Sequence, residues 1–195
     1  MTYKEDDKMR VVSGEYGGRP LKAVKGKNTR PTTDKVKESL FHMIGPYFSG
    51  GTALDLYSGS GSLGIEAVSR GMDQAYLVDK HPLAIKTIYE NVAMTKEADK
   101  FIVWKKTDQQ ALDWLQTHTI MFDLVLLDPP YEKQDLGTII HQLISSKLVN
   151  PKALIVCETD KDTVLDISHT HLTLLKEKVY GLSKITVYEW RPEDD

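Results

Sequence analysis

Alternation constrains this chain more than any single motif. Short β-rich runs at 52–58 ("TALDLYS"), 74–80 ("QAYLVDK"), 100–106 ("KFIVWKK"), 122–128 ("FDLVLLD") and 153–159 ("ALIVCET") are separated by helical patterns. Those patterns, "SLGIEAVSRG", "PLAIKTIYENVAMT", "DQQALDWLQT" and "DLGTIIHQLISS", repeat apolar residues at three- and four-residue spacing. Strand, helix and strand in this order join neighbouring strands by right-handed crossovers, so the sheet is parallel and covered on both faces. The end of the chain departs from the pattern. "LTLLKEKVY" and "KITVYEWR" are joined by "GLS" alone, too short for a crossover, which makes an antiparallel hairpin at one end of the sheet. The expected class is therefore α/β with a mostly parallel sheet. A further helix over "TTDKVKESLFHMIG" is expected to be capped by Thr33 or Asp34 and to bury Val36, Leu40, Phe41 and Ile44.

Composition narrows the setting. With 195 residues, 41% of them hydrophobic, the chain can bury one sizeable core. Three parts are expected: a disordered leader over 1–8, a small basic extension over 9–33 and the main domain over 34–195. The leader "MTYKEDDK" is charged and lacks the apolar stretch of a signal peptide. No apolar run approaches the roughly 20 residues of a membrane span, and the single cysteine, Cys157, can form no internal disulfide. A cytoplasmic, monomeric protein without membrane association is the expectation. The six histidines are scattered without the paired spacing of a metal site, so no metal is expected.

Open parallel sheets take their ligands at the carboxyl ends of the strands. The first strand runs into "LDLYSGSGSLG", where Gly59, Gly61 and Gly64 satisfy the dinucleotide pattern G-x-G-x-x-G, and Asp79 closes the second strand about twenty residues on. A carboxylate at Asp79 can accept hydrogen bonds from both hydroxyls of a ribose. Asp55, however, lies on the strand itself, aimed to where a pyrophosphate would need to sit. Like charges repel, so a dinucleotide is disfavoured and a ligand with a sulfonium and an ammonium group is favoured. S-adenosylmethionine has both. Tyr57, Ser58, Ser60 and Lys80 flank the same turns, and Asp108 and Gln109 in "TDQQ" can bond an adenine ring; Asp108 serves equally well as a helix N-cap.

The fourth strand ends in "DPPY". Proline has no N–H, so neighbouring chain cannot claim this turn through a ladder bond, and the residue before each proline is held extended. Asp128 and the carbonyl of Pro129 thus stay available as two acceptors. An exocyclic base amine offers two N–H donors and a lone pair drawn into its ring. Two acceptors orient that amine and turn its lone pair toward an electrophilic methyl, so positioning supplies most of the rate. Pro130 fixes the turn, and Tyr131 offers a flat face for an extruded base.

"DPPY" after a parallel strand, preceded by "LDLYSGSGSLGIEA", resembles the amino-directed S-adenosylmethionine methyltransferases. With "MRVVSGEYGGRPL" and "RPTTDKVKESLF" near the front, the chain from about Met9 onward closely resembles the bacterial family that methylates the N2 amine of a guanine in 16S ribosomal RNA, the RsmD family. The resemblance implies a Rossmann-like class I methyltransferase fold with a seven-stranded sheet. It also implies cofactor contacts on Asp55, Gly59, Gly61, Asp79 and Asp108, and catalysis on Asp128, Pro129, Pro130 and Tyr131. Where some relatives carry phenylalanine after the prolines, this chain has Tyr131, whose ring still stacks. The implied partner is 16S ribosomal RNA or a small-subunit assembly particle.

The front segment is where substrate choice is expected to lie. Between Arg10 and Arg30 stand six basic residues and one acid, Glu15, against a net charge of −3 for the whole chain. "RVVSG" and "PLKAV" around "EYGGR" read as a β-hairpin on which Arg10, Arg19, Lys22, Lys25 and Arg30 can grip phosphates without reading sequence. Arg30, Thr32 and Thr33 lead into the next helix and are placed to close over the methionine end of the cofactor. Two other readings compete. A DNA amino-methyltransferase is disfavoured because no segment is long enough for a separate target-recognition domain. A non-catalytic RNA-binding protein would have no need of the acceptor pair.

Overall fold

The computed structural model describes residues 9–26, 33–130, 135–165, 167 and 171–193. The strands are β1 (Thr52–Asp55), β2 (Gln74–Asp79), β3 (Phe101–Lys105), β4 (Phe122–Leu127), β5 (Val149–Asp160), β6 (Leu172–Tyr180) and β7 (Ser183–Trp190). The helices are α1 (Asp34–Ile44), α2 (Ser62–Ser69), α3 (Pro82–Thr95), α4 (Asp108–His118) and α5 (Leu136–Ser145). The strands form one seven-stranded sheet in the order β3-β2-β1-β4-β5-β7-β6. The five from β3 to β5 are parallel, and β7 and β6 join antiparallel. The order reverses between β1 and β4, which opens a crevice at their carboxyl ends.

Two cores follow from the alternation of side chains along each strand. On one face Ala53, Leu77, Leu126 and Val156 pack under α1, α2 and α3. On the other, Leu54, Val78, Leu127 and Cys157 pack under α4 and α5. Burying a side chain such as Phe41 or Leu112 stabilises the fold by about 1.5–3 kcal/mol. Cys157 is a core thiol, and burial pushes its pKa up to about 12.

Three expectations change in detail. The run expected to reach Ser58 ends as a strand at Asp55, although Leu56 and Ser58 still donate backbone bonds to β4 and β2. β5 begins at Val149, ahead of Pro151, because a register shift between Phe122 and Leu124 takes up extra residues around Lys152, whose φ is +67°. The front hairpin is the larger correction. Residues 9–26 double back antiparallel, but with one isolated bridge, Arg10 to Pro20, and no ladder. Gly14 and Gly18 adopt positive φ, and Val11, Tyr16 and Leu21 are buried in the main core. The segment is a strap packed on the helices.

A buried ion cluster holds the strap. Thr33 caps α1, as expected, but the buried stripe of α1 is Lys37, Leu40, Phe41 and Ile44, with Val36 only partly covered. Lys37 is fully buried and donates to the Arg10 carbonyl (2.6 Å) and Ser62 Oγ (2.9 Å). Its ammonium lies 3.4 Å from Glu66 of α2. The Glu66 carboxylate accepts the backbone N–H groups of Val12 (2.8 Å) and Ser13 (3.0 Å) and the Arg70 guanidinium (2.8 Å). Burial draws the Lys37 pKa down, and the Glu66 carboxylate opposes it.

Candidate active site

Four neighbouring strands deliver four carboxylates to one place. Ala53, Leu77, Leu126 and Val156 point to the same face, so Asp55, Asp79, Asp128 and Glu158, each two residues further along, point there too. The registers set Asp128 beside Glu158, with Asp55 two residues behind Asp79 and Asp128 along the strand direction. Asp55 pairs with Leu77 and Leu126, while Leu127 pairs with Cys157, the residues immediately before Asp128 and Glu158. All four carboxylates line a cavity of about 750 Å³, a size that suits a small-molecule cofactor.

Asp55 is the most telling of the four. It is 1% exposed, and its Oδ2 accepts from Ser58 Oγ (3.0 Å) and the Gly64 N–H (3.1 Å). Its Oδ1 has no partner among the described residues. Burial pushes the carboxyl pKa up to about 7, against the hydrogen bonds from Ser58 and Gly64 that lower it. A buried carboxylate oxygen left unpaired costs about 1–3 kcal/mol or more, which a cationic ligand would recover. The bond to Gly64 also decides against pyrophosphate, because Asp55 occupies a donor at the start of α2 where phosphate would bind. A Cβ at Gly64 would lie 2.2 Å from Leu77 Cδ2, so glycine there lets α2 rest directly on β2.

Asp79 is fixed by the backbone, accepting from Gly59 N–H (3.0 Å) and His81 N–H (2.9 Å). Tyr57, Ser58, Gly59, Ser60 and Lys80 join it on the cavity wall. Gly61, with φ +83°, caps α2 and turns its α-carbon toward Ile65, Ile88 and Leu77. Thr107, not Asp108, caps α4, in a reciprocal capping box with Gln110. That leaves Asp108 on the cavity, where its Oδ2 accepts from the Tyr57 hydroxyl at 2.9 Å. The expectation for Gln109 is corrected. Its side-chain amide donates to Asp113 (2.7 Å), one turn along the outer face of α4, and turns away from the site.

Asp128, Pro129 and Pro130 close the far side of the cavity. The Asp128 carboxyl is held well above the ordinary carboxylate range by burial, then by the charge of Glu158, then by that of Asp55. Tyr131 lies outside the described residues. Glu158 was missed by sequence reasoning, since it lies inside β5 and only the pairing of Leu127 with Cys157 sets it beside Asp128. Among the described residues no cluster of three or more His, Cys, Asp or Glu side chains is arranged to hold a metal ion, and no helix is long and apolar enough to cross a membrane.

Over residues 9–189 the chain matches the family described as conserved hypothetical protein 95. It belongs to that family. A similar member is the YlbH protein of Bacillus subtilis, 40% identical over 94% of this chain and 100% of that one. The "Ribosomal RNA small subunit methyltransferase D" of Haemophilus influenzae is 34% identical over 93% of each. Among solved structures, a conserved hypothetical protein of Streptococcus pyogenes superposes with a TM-score of 0.76 at 46% identity, covering 80% of this chain and 96% of that one.

In this family member several cations of the basic front also bond to the fold beneath them. Arg10 pairs with Asp34 (2.8 Å), and Arg19 donates to the carbonyls of Met94 (3.1 Å) and Thr95 (3.0 Å) at the end of α3. Lys22 pairs with Glu90 (2.8 Å), and its backbone is bracketed by Asn91. Lys25 is exposed. Thr33 lines the cavity as well as capping α1. Arg30 and Thr32 lie outside the described residues.

Proposed function

We propose that this protein transfers a methyl group from S-adenosylmethionine to the exocyclic N2 amine of a guanine in small-subunit (16S) ribosomal RNA. The observation that carries this reading is the shared cavity of Asp55, with its unpartnered Oδ1, and the Asp128–Pro129 turn. The relative named for small-subunit ribosomal RNA methylation supports the choice of substrate.

The residues fit the cofactor. Asp55 Oδ1 would meet the ammonium end, Asp79 the ribose hydroxyls and Asp108 the adenine, while Tyr57, Ser58, Gly59, Ser60 and Lys80 would enclose it. Gly61 shapes the loop from behind. When bound, S-adenosylmethionine supplies an electrophilic methyl group on a sulfonium. Asp128 and the Pro129 carbonyl would accept the two amine hydrogens and hold the nitrogen lone pair outward, with Pro130 fixing the turn and Tyr131 stacking on the base. Exposed Lys35 and Lys80 on the cavity wall, and exposed Lys25 next to Val24 of that wall, would meet RNA phosphates. A ribosomal substrate would be met in the cytoplasm.

The test is transfer of labelled methyl to small subunits from cells lacking the gene, with the product nucleoside identified. N2-methylguanosine at one position is expected. Label on another base, or none while S-adenosylmethionine binds, would overturn the reading.

A further inference from the structure

Glu158 has no part in the chemistry described so far, yet it stands beside the acceptor that carries it. β4 and β5 are adjacent and parallel, Leu127 is level with Cys157, and the next residue on each strand is an acid turned to the same face. Neighbouring strands lie about 4.8 Å apart, so the two carboxylates are side by side on the cavity wall. After burial, the Glu158 charge is the largest influence holding the Asp128 carboxyl above its ordinary range. Two like charges side by side in a partly buried site favour a ligand that brings donors to both.

Guanine supplies those donors. In adenine the ring nitrogen beside the amine, N1, is bare, and in cytosine N3 is bare. Guanine alone carries a hydrogen on a ring nitrogen next to its amine, so N1–H and N2–H point the same way from adjacent atoms. Resting on the function proposed above, we propose that Glu158 selects guanine by accepting its N1–H while Asp128 and the Pro129 carbonyl hold the amine. An adenine or cytosine amine brought to the same acceptors would turn a ring lone pair toward the Glu158 carboxylate. A site built to bond a donor rejects the analogue lacking it far more strongly than an apolar pocket does. Glu158 is thus a specificity-determining residue.

2-Aminopurine separates the two contacts, since it keeps the amine on C2 but leaves N1 bare. Small subunits are reconstituted with guanine or 2-aminopurine at the target position, and single-turnover methyl transfer is measured for the wild type, Glu158→Gln and Glu158→Ala. The wild type should prefer guanine by at least about 100-fold. Glu158→Gln, whose amide can donate to a bare N1, should lose about tenfold on guanine and shrink the preference by about tenfold or more. Glu158→Ala should also shrink it by removing the repulsion. S-adenosylmethionine affinity within about threefold of wild type shows that each variant keeps a folded site. A preference unchanged in both variants would overturn the proposal. A wild type that methylates no guanine N2 on control particles would bring down the underlying function instead, before Glu158 is involved.

Discussion

Two groups of buried charge lie on the same face of the sheet, and they are built in opposite ways. Lys37, Glu66 and Arg70 carry mixed signs, and Lys37 and Glu66 are fully enclosed, their polar atoms bonded to the strap, to Ser62 or to each other. Asp55, Asp128 and Glu158 carry one sign, share a cavity and leave Asp55 Oδ1 without a partner among the described residues. The first group joins α1, α2 and the strap. The second leaves Asp55 Oδ1 open to a donor from a ligand. Opposite charges paired with each other, more than burial, separate scaffold from site here, although Arg70 Nη2 in the first group also lacks a hydrogen-bond partner among the described residues.

If that contrast is right, substitutions in the two groups move different quantities. The largest effect belongs to Asp128→Asn, which keeps size but can present a donor where the amine needs an acceptor. Methyl transfer should fall by about three orders of magnitude or more, the scale of losing a positioned group in the transition state. Thermal stability should hold or rise, because a like charge is removed. A stability loss matching the activity loss would place Asp128 with the scaffold.

Lys37→Met should do the reverse. It keeps the length of the side chain but leaves the Arg10 carbonyl without its Lys37 donor and takes one of two cations from Glu66, which keeps Arg70; losing a buried partner in this way costs about 1–3 kcal/mol. Urea unfolding reads that loss. Cofactor affinity of the folded fraction should change little, and a stable variant that no longer binds S-adenosylmethionine would move Lys37 into the site. Arg19→Ala is the smallest effect. It removes a cation from the carboxyl end of α3 and should lower stability by about 1 kcal/mol. The salt dependence of RNA binding should stay the same; a flatter slope would show that Arg19 meets phosphate after all.

The sequence made the sheet legible because strand and helix periods differ, and five parallel strands fell close to where apolar runs predicted them. It made Asp55, Asp79 and Asp128 legible because each ends a strand or precedes a marked turn. Glu158 was hidden in "CETD", where only the pairing of Leu127 with Cys157 reveals its neighbour. Lys37 was hidden in plain view. It opens the stripe 37, 40, 41, 44, but a lysine on an apolar stripe reads as surface until its partner on another helix is known. The front was legible only in part for a related reason. The run of basic residues shows Arg10, Arg19 and Lys22, but not the acids and carbonyls that the fold brings to them. Gln109 illustrates the limit at the scale of one turn, since Asp113 one turn on drew its side chain outward.

The contrast between the two groups is tested most directly by the unfolding free energy of Asp55→Asn against pH, without cofactor. The Asp55 carboxyl keeps its proton to about pH 7 in the fold, whereas an unfolded chain releases it near pH 4. The native state therefore binds the extra proton between those values, and this group's contribution to stability falls as pH rises through that window, by at most about 1.4 kcal/mol per unit. Asparagine can keep the bonds from Ser58 and Gly64 without the charge. The variant should be more stable than the wild type at pH 8, with a flatter pH dependence, and should bind S-adenosylmethionine far more weakly. A variant less stable than the wild type at pH 8 would mean that Asp55 holds the fold together, and the distinction between scaffold and site would fail where it is sharpest.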